Sequence, residues 1–481
     1  MAASPSPYRT RPAATAGMPP GIPFIVGNEA AERFSFYGMK TILVVFMTRY
    51  LLSSSGSPDF MTPTESREWM HLFVASAYFF PVLGGIVADA FLGKYLTILL
   101  LSLVYCAGHL CLALMDMPEP LLAATLEPRG WLLAGLALVA VGSGGIKPCV
   151  SAHVGDQFGQ SNRHLLERVF GWFYFAINFG SFFSTLLTPW LLEHVGPGWA
   201  FGVPGVLMAA ATLVFWLGRH RFVHVPPRGM AYFRETFGRE GLAAIGKLVP
   251  LYLLVAVFWS LYDQTGGAWV QQAETMDRRF LGVEWLESQI QAINPLLVLV
   301  FIPLFGTVVY PAVGRVLDFT PLRRILVGFV LATAAFAISG VAQGLVDAES
   351  ARLAAAGAGP EAARWPSVGW QLAAYVVITA AEILVSITCL EFSYTQAPTQ
   401  MKSLVMSLYL LSVSLGNLFT AAVNMATRDA AGHSTLTGAS YYWFFTGCMA
   451  VATLLLVPVV LLYRPREYLQ QEADGRAPPT H

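Results

Sequence analysis

Residues 27–40 read Gly27-Asn28-Glu29-Ala30-Ala31-Glu32-Arg33-Phe34-Ser35-Phe36-Tyr37-Gly38-Met39-Lys40. Four ionisable side chains therefore sit inside a stretch, 22–52, that is otherwise apolar enough to cross a bilayer. Charges at membrane depth are costly, and they persist where they face a protein interior or a water-filled cavity and pair with one another. The stretch thus marks an ion or substrate pathway. Helical spacing sorts its charges: Glu29, Glu32 and Arg33 share one face, Glu29 and Arg33 can pair at i and i+4, and Lys40 lies two turns further along. Two acids sharing one base invite a carboxylate that carries a proton. The plainer alternative is a permanently ionised pair that fixes helix register.

The rest of the chain supports the membrane setting. Of 481 residues 55% are hydrophobic and 12% charged, the net charge is zero, and the mean hydropathy is +0.57. A soluble domain seldom has this composition, and dispersed basic residues exclude a nucleic-acid partner. Cys106, Cys111, Cys149, Cys389 and Cys448 all fall in apolar spans, where cysteine serves as a small packing residue. The first twenty residues lack the apolar core of a signal peptide, so the first span is expected to be retained.

Twelve stretches approach the ~20 residues that cross the hydrocarbon: 22–52, 68–92, 95–116, 130–157, 166–193, 197–217, 248–275, 288–316, 321–346, 369–395, 402–428 and 438–463. An even number puts both termini on one side. Of the 29 Lys and Arg residues, eighteen fall on that side, eight on the other, and Arg33, Lys40 and Lys147 lie within spans. The bias predicts cytoplasmic termini. The basic connector 218–247 divides the spans six and six, giving an N-terminal bundle (1–217), a linker (218–247), a C-terminal bundle (248–463) and a tail (464–481). The fold class expected is an all-α polytopic membrane protein of two six-helix bundles, with a substrate site at their interface and rocking of one bundle against the other. The connector 347–368, rich in Ala, Gly and Pro, reads as a flexible external loop.

Other buried charges fit the same scheme. Lys147, before Pro148 in the fourth span, either neutralises an acid or binds a substrate carboxylate. Glu382 in the tenth span either pairs with Lys147 when the site is empty or binds a substrate ammonium. Glu391 lies nearer the cytoplasmic end and reads as structural. His71 and Asp263, like Lys40, lie toward the external ends of their spans; a Lys40–Asp263 pair would close the outside, and the adjacent histidine could loosen it on protonation. Neither a nucleophile–base pair nor metal-ligand spacing appears, so no enzyme and no cofactor is expected beyond the proton as coupling ion.

Six segments together resemble signatures of the proton-coupled oligopeptide transporters of the major facilitator superfamily. They are Glu29-x-x-Glu32-Arg33-Phe34-Ser-Phe-Tyr37-Gly38, Gly84-Gly85-x-x-Ala88-Asp89-x-x-Leu92-Gly93-x-Tyr95, Gly145-Ile-Lys147-Pro148, Phe173-Tyr174-Phe-Ala-Ile177-Asn178-Phe-Gly180-Ser181, Phe258-Trp259 with Asp263-Gln264, and Leu390-Glu391-Phe392-Ser-Tyr394-Thr-Gln396-Ala397-Pro398. The resemblance implies a monomeric, bilayer-embedded importer of di- and tripeptides driven by protons. It implies that Glu29 and Glu32 take part in proton coupling with Arg33 and His71. It further implies that Arg33 and Lys147 receive the peptide carboxylate, that Glu382 holds the amino group with Asn178 and Asn294, and that Tyr37, Tyr78 and Trp259 line the pocket. Lys40, Asp263, Lys147 and Glu382 would serve as gates. His71, Asp263-Gln264 and the 390–394 segment look more like the animal members. The chain lacks the large external domain those carry between spans nine and ten, and the two extra helices that many bacterial members insert between the halves. Phe36 and Tyr409 depart from the usual Tyr and Trp. Transport of another solute (nitrate, histidine) and a non-transporting peptide sensor remain as the competing readings.

Overall fold

The computed structural model describes residues 8–115, 127–236, 238–396, 402–429 and 434–463. Ala397 and Pro398 of the last motif, and the tail 464–481, lie outside them. Eleven helices among the described residues are long and apolar enough to cross a membrane. A twelfth, α1 (Ile22–Arg49), has the length but too many charges to qualify on composition. The series continues with α2 (Pro63–Leu92), α3 (Lys94–Leu114), α4 (Pro128–Asp156), α5 (Leu166–His194) and α6 (Pro197–Leu217). The second half holds α7 (Ile245–Glu274), α8 (Glu287–Gly314), α9 (Pro321–Ala356), α10 (Gly369–Ser393), α11 (Val405–Ala426) and α12 (Ala439–Leu462). Large side chains such as Leu133, Trp199, Val206, Leu454 and Leu462 face outward, the arrangement a lipid solvent requires of a multi-pass membrane protein.

Two apolar cores form. One is built almost entirely from residues 22–222 and the other from 248–456, so each half buries its own interior. The halves meet most extensively along α2 and α11, where the Ser414 hydroxyl donates to the Ala75 carbonyl at 2.7 Å.

Several boundaries differ from the sequence expectation. Helix α2 begins at Pro63, not residue 68, because Thr62 caps it by accepting from the Glu65 amide at 3.2 Å and Pro63 suits the first helical position. The linker is shorter than expected: a short helix spans Met230–Thr236, and helical structure resumes at Arg239. Segment 347–368 is not a flexible loop. Good helix formers carry α9 on to Ala356, where Gly357 at φ +59° provides the left-handed cap. The remainder is pinned to the α7–α8 connection: the Asp277 amide donates to Pro366 and the Val368 amide to Asp277, both at 2.9 Å. That connection holds a small hairpin, Arg279–Phe280 with Val283–Glu284, whose Leu281-Gly282 turn has positive φ at both residues.

Close helix approach positions the site. A Cβ on Gly84 of α2 would collide with the backbone of Gly145 of α4, so Gly84 must lack a side chain for the two helices to touch beside Lys147, while a Cβ on Gly145 would meet the Leu101 side chain of α3. Pro148, next in α4, cannot donate a helical hydrogen bond and relaxes the backbone there. Glu382 is followed at once by a π-helical segment, Ile383–Ile387, a local widening that re-aims side chains and is frequent at functional positions.

Candidate functional site

The charges of α1 form a compact buried cluster. Arg33 Nε lies 2.7 Å from Glu29 Oε1 and 3.0 Å from Glu32 Oε2, while Glu32 Oε1 accepts a hydrogen bond from Ser143 of α4 at 2.5 Å. Glu29 and Glu32 are 2% and 0% exposed. Both guanidinium contacts run through Nε, and Arg33 lines the central cavity, so its outer edge is turned to a ligand space. Fully ionised, Glu29, Glu32, Arg33 and the neighbouring Lys147 sum to zero charge. Protonation of either acid leaves the cluster with an excess positive charge, which favours an incoming anion.

Glu382 is held from the other half. Asn294 Nδ2 of α8 donates to Glu382 Oε2 at 2.9 Å and to Thr379 Oγ1 at 3.0 Å, and the Tyr262 hydroxyl reaches Asn294 Oδ1 at 3.2 Å. Among the described residues Glu382 thus has hydrogen-bond donors but no ion-pair partner. Between it and Arg33 lies a cavity of about 300 Å³ lined also by Tyr37, Tyr78, Asn178, Trp259 and Asp263. The cavity offers a cationic pole from one bundle, an anionic pole from the other, and aromatic walls.

Lys147 and Glu382 do not form the expected pair. The Lys147 ammonium sits 4.0 Å from the ring centres of both Phe36 and Tyr78, with no hydrogen-bond partner among the described residues, and electrostatically it belongs to the Arg33 cluster. Two ring faces supply its negative potential instead. Phe36 therefore acts on Lys147 through its ring face. Lys147 lines a second cavity, about 440 Å³, toward the end of the bundle that bears the termini; Leu390 and Leu410 line both cavities and stand between them. Asn178 lines the central cavity, and its amide donates to the Tyr174 carbonyl of its own helix at 3.0 Å. Tyr409 ties to Ser386 Oγ at 3.1 Å on the cavity wall. Glu391 is exposed.

Above the cavity, at the end away from the termini, Lys40 Nζ meets Asp263 Oδ1 at 2.6 Å. His71 does not contact Asp263 directly. Asn417 of α11 stands between them, donating from Nδ2 to Asp263 Oδ2 and taking a hydrogen bond from His71 Nδ1 at Oδ1, both at 2.7 Å. His71 thereby joins this chain and not the Glu29–Glu32 cluster. Further ion pairs close the same end: Arg49 with Glu274 (3.2 Å) and Glu287 (2.7 Å), and Arg428 with Glu68 (2.9 Å). Among the described residues, every ion pair joining the two halves lies toward this end. Asn417, Tyr262 and Ser143 are not conspicuous in the sequence, because each is a neutral polar residue in an apolar span. The signal available was their burial cost, which a hydrogen-bonded partner must offset.

This geometry is that of a two-bundle transporter, and the comparisons agree. The model of the POT family (PTR2) matches residues 95–239 and 239–444, well over half of the sequence. The chain belongs to the POT family, a family of transporters. It is similar to Peptide transporter family 1 of Drosophila melanogaster, 35% identical over 361 residues covering 67% of this chain and 47% of that protein. To Solute carrier family 15 member 2 of Homo sapiens it is 37% identical over 363 residues, 67% and 48% of the two chains. The chain thus spans about half the length of the curated relatives it matches. Among solved structures, an auto-inhibited POT family peptide transporter superposes with TM-score 0.79 at 35% identity, covering 94% of this chain and 99% of the other. The POT family transporter PepTSo superposes with TM-score 0.77 at 34% identity, covering 92% and 98%.

Proposed function

We propose that this chain is a proton-coupled symporter that imports di- and tripeptides by alternating access between its two bundles. The observation that carries this reading is the central cavity, with Arg33 presented by one bundle and Glu382 by the other. A zwitterionic peptide satisfies both poles at once, and its binding draws the bundles together. The relative named Peptide transporter family 1 and the solved structure of a POT family peptide transporter support the substrate class.

Glu29 and Glu32 are the proton acceptors. Protonation of either removes one of the two carboxylates competing for Arg33, which then serves the peptide carboxylate with Lys147 nearby. Glu382, held by Asn294, receives the amino group. The excess of basic residues on the side of the termini assigns that side to the cytoplasm. The ion-paired end is then external, and the structure is the state closed to the outside, with Leu390 and Leu410 standing between the central cavity and the cytoplasmic one. The protein acts as a monomer in the cell membrane. A proton entering gains about 2.3 kcal/mol per 100 mV and about 1.4 kcal/mol per pH unit, enough for tenfold accumulation or more.

The test is uptake of labelled dialanine into proteoliposomes with and without an imposed pH gradient. Accumulation that depends on the gradient, and that Glu29→Gln and Glu32→Gln abolish while counterflow persists, supports the assignment. Full accumulation by both variants refutes the proton site. Failure of unlabelled dipeptides to compete, with competition by nitrate or histidine, redirects the substrate class, and a ligand-induced thermal shift without accumulation favours a sensor.

A further inference from the structure

Asn28 is 1% exposed, and among the described residues neither its amide nitrogen nor its side-chain carbonyl oxygen has a hydrogen-bond partner. Buried amides are nearly always satisfied, so an orphaned one calls for a specific role. Nothing local requires asparagine here, since in the interior of α1 its helix propensity is poorer than that of Ala or Leu. Its place in the helix does suggest a role. Asn28 precedes Glu29, and Glu32 lies four residues on, which puts the Asn28 and Glu32 side chains on one face a single turn apart.

Each of these two acids keeps one oxygen unengaged by a hydrogen bond. Glu29 Oε1 is taken by Arg33 and Glu32 Oε1 by Ser143; among the described residues Glu29 Oε2 has no hydrogen-bond partner, and Glu32 Oε2 has the Arg33 Nε ion-pair contact at 3.0 Å but no hydrogen bond. Around them stand Arg33 on the same helix, Lys147 of α4, Tyr105 of α3, whose hydroxyl reaches the Glu32 carbonyl at 3.4 Å, and Tyr78 of α2. An ionised carboxylate only accepts hydrogen bonds, while a carboxylic acid also donates one. Any residue serving both forms must offer a donor to one and an acceptor to the other. An asparagine amide does so without changing its own protonation state.

We propose that Asn28 is a positioning residue of the proton site, presenting its Nδ2–H to the ionised carboxylate of Glu32 and its Oδ1 to the protonated acid, directly or through one buried water shared with Glu29. The proton itself passes between water and carboxylate oxygen, and Asn28 gains and loses none. The inference rests on the reading of Glu29 and Glu32 as proton acceptors. It adds the group that holds the loaded and unloaded forms close in free energy, so that the site can exchange its proton during the cycle.

The full chain is reconstituted as the parent, Asn28→Leu, which is similar in volume but has neither donor nor acceptor, and Asn28→Ser, which restores both in one hydroxyl. Labelled dialanine is the probe. Asn28→Leu is expected to lower gradient-driven accumulation about tenfold and to displace the pH midpoint of uptake by about one unit, with counterflow within about twofold of the parent. Asn28→Ser is expected to recover most of the accumulation. The proposal is overturned if Asn28→Leu accumulates dialanine with the parent's pH profile. It is equally overturned if both variants lose counterflow and accumulation together, the mark of a residue needed only for folding. Gradient-independent uptake by the parent, or full accumulation by Glu29→Gln and Glu32→Gln, would show that the proton site lies elsewhere and would take this inference down with it.

Discussion

Removing one member of the Lys40–Asp263 pair should open the end that the ion pairs close. The contact is 2.6 Å, with the side chains only 12% and 5% exposed, so neither charge is well solvated on its own. Lys40→Met leaves Asp263 with Asn417 as its hydrogen-bond donor but no cation. Breaking a buried pair by deleting one partner costs about 3–5 kcal/mol, chiefly because the survivor stays buried and uncompensated. The structure offers the survivor an escape, since separation of the bundles admits water. At about 1.4 kcal/mol per factor of ten, a penalty of ~3 kcal/mol shifts the closed-to-open ratio by about a hundredfold. Arg49–Glu274, Arg49–Glu287 and Arg428–Glu68 remain and oppose the opening, but Arg49 and Arg428 are 44% and 37% exposed and such pairs hold less strongly. Spin labels at Ser55 and Glu284, exposed positions on the two halves, would report the separation as a distance distribution. Lys40→Met should populate a longer distance, and Lys40→Met with Asp263→Leu should return toward the parent, because the pair is then replaced and not broken. An unchanged distribution in Lys40→Met, or a double variant as open as the single, would refute the reasoning.

Two further outcomes follow from particular contacts. Phe36→Leu removes one of the two rings over the Lys147 ammonium, worth about 0.5–2 kcal/mol at a desolvated site. It should weaken peptide affinity by about two- to thirtyfold, the ratio that energy corresponds to, while Phe36→Tyr leaves it intact, as read by competition against labelled dialanine; equal effects of both would assign the loss to packing. At the terminus-bearing end, Tyr8 stacks on His224 at 4.2 Å and the Arg9 carbonyl accepts from the His224 amide at 2.7 Å, strapping the N-terminal segment to the linker. Burial lowers the His224 pKa below its ordinary 6.5, so the strap's contribution to stability is complete above that value and is lost as pH falls through the folded pKa. Trypsin cleavage after Arg9 or Arg11 should therefore accelerate below pH 6.5 in the parent and lose that dependence in His224→Phe.

The sequence by itself determined the twelve apolar spans, their division about a basic linker, and the shared face of Glu29, Glu32 and Arg33, since hydrocarbon thickness and helical period act locally along the chain. It also singled out Glu382, Lys40 and Asp263, because a charge in an apolar span is conspicuous whatever surrounds it. Helix ends were less legible: caps at Thr62 and Gly357 depend on short polar and left-handed signals that apolar length does not register. The Glu29–Arg33 and Lys40–Asp263 pairs were legible from opposite charges at matching depth, but other partnerships were not. That Lys147 rests on Phe36 and Tyr78 instead of Glu382, that Asn294 holds Glu382, and that Asn417 links His71 to Asp263 were decided only by the tertiary structure. Each joins residues tens to hundreds of positions apart, and which buried polar group meets which depends on how packed helices are rotated and spaced, down to the glycines that let α2 touch α4.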